Sequence, residues 1–551
     1  MKPKKLLSFA MAVLLAFAAV GCTSSSALLK PEEAEKELSA LLTKVRVTET
    51  EPVLDIGGSE LTSAGAELPD ISIYPYSVTG KNPVNIEIFA STEKSGPSMD
   101  GWINVVAENF NKAGIETSGG MASVSIRPLS SGLGLDYIVT GVHMPDAYTP
   151  ANELWGEMAR AQNVKVETAS TRIAGNTAGI LMSRKADQNF RANHGEVTLQ
   201  SILDAVLAGE LLLGYTNPYA SATGLNMLAA ILQAFDPGNP LSDSAVGKLE
   251  QFQAKVPPVA YTTSQMRESA KKGVLDAMIM EYQAYINEPT LVDYVFTPFG
   301  VRHDNPVYAL DGLSGAKREA LDRFVEYALN EASQKEATRH GFNANENYKG
   351  AELGMSGAEL YAAQKVWKEK KDAGRPVVAV FVADTSGSME GTPLRELKTS
   401  LINASQYINS DNHVGLVSYA SRVEIALPIK SFDASHRAYF SGAVKALSAN
   451  GSTATYDAVL VGLNMLLEYK QQLPNAKLML FVLSDGAQNE GYDLKRISPI
   501  VKALEVPIHT IGYNADLSEL RTLSEINEAS SVNASESDVI YNLKNIFNAQ
   551  L

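Results

Sequence analysis

Phe381-Val382-Ala383-Asp384-Thr385-Ser386-Gly387-Ser388-Met389 is an apolar run that stops abruptly at oxygen-bearing side chains. From Val377 to Val382 every residue is apolar and most are β-branched, the composition of a strand buried on both faces of a parallel sheet. Asp384, Ser386 and Ser388 follow at two-residue spacing, in the loop ahead of a helix expected to start near Pro393. Two distant stretches fit the same point. Asn450-Gly451-Ser452-Thr453 precedes a helix from about Thr455, and Leu480-Phe481-Val482-Leu483-Ser484-Asp485-Gly486 is a second buried strand ending in a carboxylate. Open α/β sheets bind ligands outside the carboxyl ends of their strands. Hydroxyls and carboxylates without sulfur or imidazole are hard ligands, which suit Mg²⁺, Mn²⁺ or Ca²⁺ rather than Zn²⁺ or Cu²⁺. The set is small for a cation that takes about six ligands, so water or an acidic group from a partner completes it.

This D-x-S-x-S pattern with a later Thr and a later Asp resembles the von Willebrand factor A domain and its metal-ion-dependent adhesion site, over about Arg375 to Leu551. The resemblance implies a Rossmann-like fold in which Ser386, Ser388 and Thr453 offer hydroxyls to the metal. Asp384 and Asp485 would then bind it directly or through water. Gly451-Ser452-Thr453 stands where many members have Gly-Gly-Thr, a departure that leaves the threonine in place.

At 551 residues the chain is too long for one core, and its net charge of −15 argues against a nucleic-acid partner. Met1 to Lys5 is basic, Leu6 to Val20 is apolar, and Gly21-Cys22 follows at once, the pattern of a secretory signal. Cys22 is the sole cysteine, so no internal disulfide forms. Ala19-Val20-Gly21-Cys22 resembles a bacterial lipobox, which implies cleavage before Cys22, lipidation there and attachment to the extracytoplasmic face of the cell membrane.

Residues 22–70 are expected to be tether and linker, with a short amphipathic helix from Pro31 to Val45. From Ile71 strands and helices alternate. Strands are expected at Val84–Ala90, Ala122–Pro128, Leu135–Gly141, Ala178–Met182, Leu211–Tyr215 and Gly273–Met280. Leu291–Pro298 and Val307–Leu310 are expected to return to the first lobe. This order resembles the type 2 periplasmic solute-binding fold. The resulting layout is a signal peptide over 1–21, the tether, a bilobal domain over 71–350, a helical linker over 351–374 and the A domain over 375–551, all α/β.

A two-lobed binder holds its ligand between the lobes. One wall is expected from Asn217, Ser221 and Thr223 at a helix start, where free N–H groups favour an anion or carbonyl. The other comes from Ser91, Thr92 and Tyr148, with Tyr282 lining the cleft. Glu281 would repel a small oxyanion unless protonated or paired. Catalysis has little support: the seven histidines stand far apart, and neither H-E-x-x-H nor G-x-S-x-G occurs. The reading is a lipoprotein, not an enzyme, that grips an acidic group on a protein partner through one divalent cation and carries a cleft for a small solute. One rival is a transport receptor whose A domain docks a permease. The other is a metal-assisted hydrolase at Asp384 and Asp485, which lacks a second metal cluster or a general base.

Overall fold

The computed structural model describes residues 29–551 apart from 52, 56–67, 257–265, 267–274, 314, 487, 514–517, 528, 530, 535–542, 544–545 and 548. The signal segment and Cys22 therefore lie outside the described residues. Among the described residues, no helix is long and apolar enough to cross a membrane.

The decisive stretch is the central strand of a seven-stranded sheet. Its order is β1 (Val47–Glu49), β14 (Val423–Ser431), β13 (His413–Tyr419), β12 (Val377–Asp384), β15 (Lys477–Ser484), β16 (Ile508–Tyr513) and β17 (Ser531–Ala534). All eight residues of β12 are buried. Side chains alternate along a strand. Val377, Ala379, Phe381 and Ala383 accordingly enter one apolar layer with the helices Thr392–Ala404 and Ala434–Ala446. Val378, Val380 and Val382 enter the opposite layer with Thr455–Lys470 and Leu494–Leu504. Only β14 runs antiparallel to its neighbour β13.

The N-terminal segment departs from the expected tether. Helix Pro31–Leu42 buries Ala34, Leu38 and Leu41 in the Val378 layer. β1 then pairs in parallel with β14, Val47 opposite Val423. Farther on, a Cβ on Gly442 would stand 2.0 Å from the Val53 carbonyl oxygen, and the Asp55 carboxylate accepts from Ser441 at 3.1 Å and Lys445 at 2.5 Å. Residues 31–51 and 53–55 thus clasp both faces and one edge of the sheet. The bilobal unit enters the chain between two strands of that sheet. A three-residue exposed strand whose partner for Val47 is as distant as Val423 leaves no local periodicity to read.

The bilobal unit has two sheets. The first lobe runs β3 (Glu116–Thr117), β4 (Gly120–Pro128), β2 (Val84–Ala90), β5 (Ala147–Thr149), β11 (Val307–Leu310) and β6 (Val166–Ser170). The second runs β10 (Tyr294–Arg302), β7 (Thr177–Ser183), β9 (Ala277–Glu281) and β8 (Leu213–Gly214). The chain crosses between lobes twice, from β6 to β7 and from β10 to β11. Two expectations fail here. Leu135–Gly141 is not a strand but most of the helix Ser131–Thr140, whose start Ser130 caps by accepting from Leu133 N–H at 3.4 Å and whose end Gly141 closes at φ 69°. This helix is apolar almost all round, so its burial hides the helical period. Leu291–Pro298 does not return to the first lobe either, because β10 pairs with β7 in the second.

Two predictions follow from the sheet unit. Leu38→Ala should lower its stability by about 2–5 kcal/mol in urea denaturation, the cost of a buried leucine truncated to a cavity. An unchanged midpoint would mean that the N-terminal clasp is only laid on the surface. His509, 3% exposed and stacked on Phe481 at 5.0 Å, is pushed down to about 4 by burial. Its folded-state value lies below the unfolded value of about 6.5, so its contribution is complete above that pH and drains away as pH falls toward 4. The loss should reach about 3 kcal/mol, and His509→Phe should flatten this part of the stability-against-pH curve.

Candidate functional site

The carboxyl ends of β12 and β15 bring four of the five expected metal-site residues into one hydrogen-bonded chain. Asp384 ends β12 with no exposed surface. Its Oδ1 accepts from the Ser386 N–H at 2.8 Å, and its Oδ2 accepts from Ser484 Oγ at 2.6 Å and Tyr419 OH at 3.3 Å. Ser386 and Ser388 hydroxyls are 3.0 Å apart, and Ser388 Oγ donates to Asp485 Oδ1 at 2.9 Å. Thr453 reaches the same rim through backbone ties between loops: Asn450 N–H donates to the Thr385 carbonyl at 2.8 Å and Gly387 N–H to the Gly451 carbonyl at 3.0 Å. The Thr453 N–H donates to Asn489 Oδ1 at 2.8 Å, and among the described residues its hydroxyl makes no hydrogen bond.

The electrostatics of this rim favour a cation. Burial holds the Asp384 carboxyl above the usual carboxylate range even though the hydrogen bonds from Ser484, Ser386 and Tyr419 oppose the shift. Asp485 is raised by burial too, and further by the negative charge of Asp384. Among the described residues neither carboxylate is in an ion pair. Two desolvated carboxylates beside each other are costly when both are ionised, and a divalent ion offsets that cost. The donor set is all oxygen, so Asp384, Ser386, Ser388, Thr453 and Asp485 fit a hard cation. Ser388 is exposed, which leaves the rim open to a partner. Tyr419, Ser484 and Asn489 were not singled out in the sequence. Ser484 adjoins Asp485, but only the strand register shows that it faces Asp384.

The second site is a cavity of about 830 Å³ between the lobes. Of the expected cleft residues, Thr92 and Ser221 line it. The others hold its walls. Ser91, 2% exposed, bonds Glu93 and Lys94. The Tyr148 hydroxyl donates to the Ser131 carbonyl at 2.7 Å from a buried ring. Asn217 accepts from Tyr219 N–H at 2.9 Å within its own turn, and Tyr282 packs edge-on against Phe296. Thr223 Oγ1 donates to Glu281 at 3.3 Å.

Glu281 does face the cavity, paired with the fully buried His303 at 2.8 Å. Glu93 and Asp100 also line it, while Lys94 has its ammonium turned inward, 2.9 Å from Asn305 Oδ1. Tyr74, Tyr76 and Ser130 contribute to the wall as well and carried no sequence signal, since they converge only through the turn before β2 and the cap of the helix read as a strand.

Residues 379–549 match the von Willebrand factor type A domain family, and residues 95–343 match the family of bacterial extracellular solute-binding proteins. Among curated proteins, an uncharacterized protein of Synechocystis is 22% identical over 157 residues, which is 28% of this chain and 36% of that protein. Inter-alpha-trypsin inhibitor heavy chain H1 of Sus scrofa is 26% identical over 174 residues, 29% of this chain and 18% of that one. The chain thus spans well under half the length of these relatives. Among solved structures, the sulfate-binding protein SubI of Mycobacterium tuberculosis aligns with 14% identity and a TM-score of 0.35, covering 48% of this chain and 88% of that one. A von Willebrand factor type A protein of Catenulispora acidiphila aligns with 18% identity and a TM-score of 0.29, covering 32% and 42%. The chain thus carries a region matched by the bacterial extracellular solute-binding protein family, followed by a region matched by the von Willebrand factor type A domain family.

Proposed function

We propose that the protein recognises a protein partner through a divalent cation held by Asp384, Ser386, Ser388, Thr453 and Asp485, with a carboxylate of the partner completing the coordination. Mg²⁺ is the expected ion, and Mn²⁺ or Ca²⁺ suits the same oxygens. The observation that carries this reading is the unbroken chain Asp384–Ser386–Ser388–Asp485, in which two carboxylates raised by burial share a rim with the buried Ser386 and the exposed Ser388 hydroxyls. When bound, the ion supplies positive charge and an open coordination position. The chain's own residues position it: Ser484 and Tyr419 fix the Asp384 carboxylate, and Asn489 holds the Thr453 loop. The role is recognition rather than turnover. The bilobal domain binds a small solute in the cavity lined by Thr92, Ser221 and Glu281. A lipid on Cys22 holds the protein on the extracytoplasmic face of the membrane.

Three measurements test these statements. Mg²⁺ or Mn²⁺ at about 100 times its dissociation constant should stabilise the A-domain unit by about 2.7 kcal/mol, since it binds the native state alone. Asp384→Ala and Thr453→Ala should fold and lose that gain; equal stabilisation of wild type and Asp384→Ala would place the ion elsewhere. Partner capture should vanish in chelator and return with Mn²⁺, and a partner that binds equally well in chelator contradicts adhesion through this rim. Cys22→Ser should abolish labelling by a fatty-acid probe and release the protein from membranes, and retention without acylation would refute the anchor.

A further inference from the structure

Residues 344–378 belong to neither matched family region, yet they hold the helix Gly357–Lys370, which touches all three packed bodies. At its start it lies on the first-lobe helix Leu154–Ala161, so close that a Cβ on Gly357 would stand 2.0 Å from the Glu157 carbonyl oxygen. Farther along it lies on the second lobe. Gln364 Nε2 donates to the Pro218 carbonyl at 2.9 Å, and Trp367 Nε1 donates to the Tyr215 hydroxyl at 2.6 Å. Leu360, Ala363 and Trp367 have no exposed surface and share one apolar cluster with residues of both lobes.

The same helix then grips the A domain. Lys368 Nζ donates to the Phe547 carbonyl at 2.9 Å, and Lys477 Nζ at the start of β15 donates to Asp372 at 2.8 Å. Phe547 is fully buried, 5.2 Å from the Phe381 ring and 5.5 Å from the Phe481 ring. Those rings sit on β12 and β15, the two strands that end at Asp384 and Asp485. Contact is therefore continuous from both lobes to the strands beneath the metal rim.

We infer that the helix Gly357–Lys370 is a strap that couples the angle between the lobes to the packing of Phe547 against β12 and β15. A rigid helix that touches two bodies cannot keep both contacts when the bodies rotate about their two crossover segments. It follows one lobe, and its far end carries Lys368 with it. Packed interfaces switch between discrete arrangements rather than bending smoothly, so a change at the cleft arrives at Phe547 as a repacking. The coupling is reciprocal: whatever fixes the A-domain strands biases the cleft by the same factor. It depends neither on which solute binds nor on the ion.

The structure supplies a wedge for the test. Gly132 in the first lobe faces the second so closely that a Cβ there would stand 2.1 Å from the Tyr219 carbonyl oxygen and 3.1 Å from Ala220 Cα. Gly132→Leu in the full chain should force the lobes apart, seen as a larger radius of gyration by small-angle X-ray scattering. Amide hydrogen exchange should then rise about fivefold or more in peptides covering β12 and Phe547. Adding Lys368→Met should return exchange there to the wild-type rate while the lobes stay open. Should Gly132→Leu fail to fold, Gln283→Ala is the milder opener, because it removes only the cross-cleft hydrogen bonds to Asp100 at 2.8 Å and the Met99 carbonyl at 3.1 Å. Open lobes with unchanged exchange in β12 and around Phe547 overturn the inference. Lobes that stay shut in both variants overturn it as well, since the helix then acts as a fixed brace.

Discussion

A carboxylate stands at the end of a strand that has no water on either face, and this constraint organises the A-domain unit. β12 is paired on both sides over nearly its whole length and feeds two apolar layers, so Asp384 is delivered to the rim without freedom to retreat into solvent. Its charge is instead managed by fixed donors: a backbone N–H, Ser484 and Tyr419. Those donors lower the cost of the anion and do not cancel the burial, because the carboxyl still sits above its usual range. The remaining deficit is what a cation would relieve. The two apolar layers are complete without any rim side chain, so the sheet is rigid whatever the rim holds.

The clasp formed by residues 31–51 and 53–55 changes how the two domains are connected. The solute-binding domain is carried between β1 and β12 of a single sheet, so its entry and its exit are both tied to the A domain. At the exit, the buried Lys371 and the half-buried Lys368 and Asp372 form a charged knot with Lys477 and the Phe547 carbonyl. Burial lowers Lys368 and Lys371 below the usual lysine range, and the adjoining Asp372 opposes that shift. Buried charges are costly unless every partner is in place, which makes such a knot specific in geometry even where its net stability is small. The knot fixes where the strap helix meets the sheet.

What could be read from the sequence followed from how local its signals are. β12 and β15 were legible because uninterrupted apolar runs ending in Asp384 and Asp485 have one economical reading, buried parallel strands with ligands at their ends. The alternation of strands and helices in the bilobal unit was legible for the same reason. Ser131–Thr140 was misread because a helix buried almost all round shows no polar face. The lobe of β10 was misread because strand partners are set by pairing across more than a hundred residues. In the cleft, Thr92 and Ser221 line the cavity from helix starts, positions a sequence can indicate. Tyr148 and Tyr282 were not, since an aromatic residue after a strand packs into the wall as readily as it faces the ligand. β1 and the clasp had no local signal at all.

On the function proposed above, the rim formed by Asp384, Ser386, Ser388, Thr453 and Asp485 holds one divalent ion. Crystals of the full chain soaked in Mn²⁺ and recorded at a wavelength where manganese scatters anomalously test it most directly. One dominant anomalous peak is expected in contact with the Ser386 and Ser388 hydroxyls, with Asp384 and Asp485 around it. A dominant peak elsewhere, or a rim that keeps the Ser388–Asp485 hydrogen bond and binds no manganese, would contradict it.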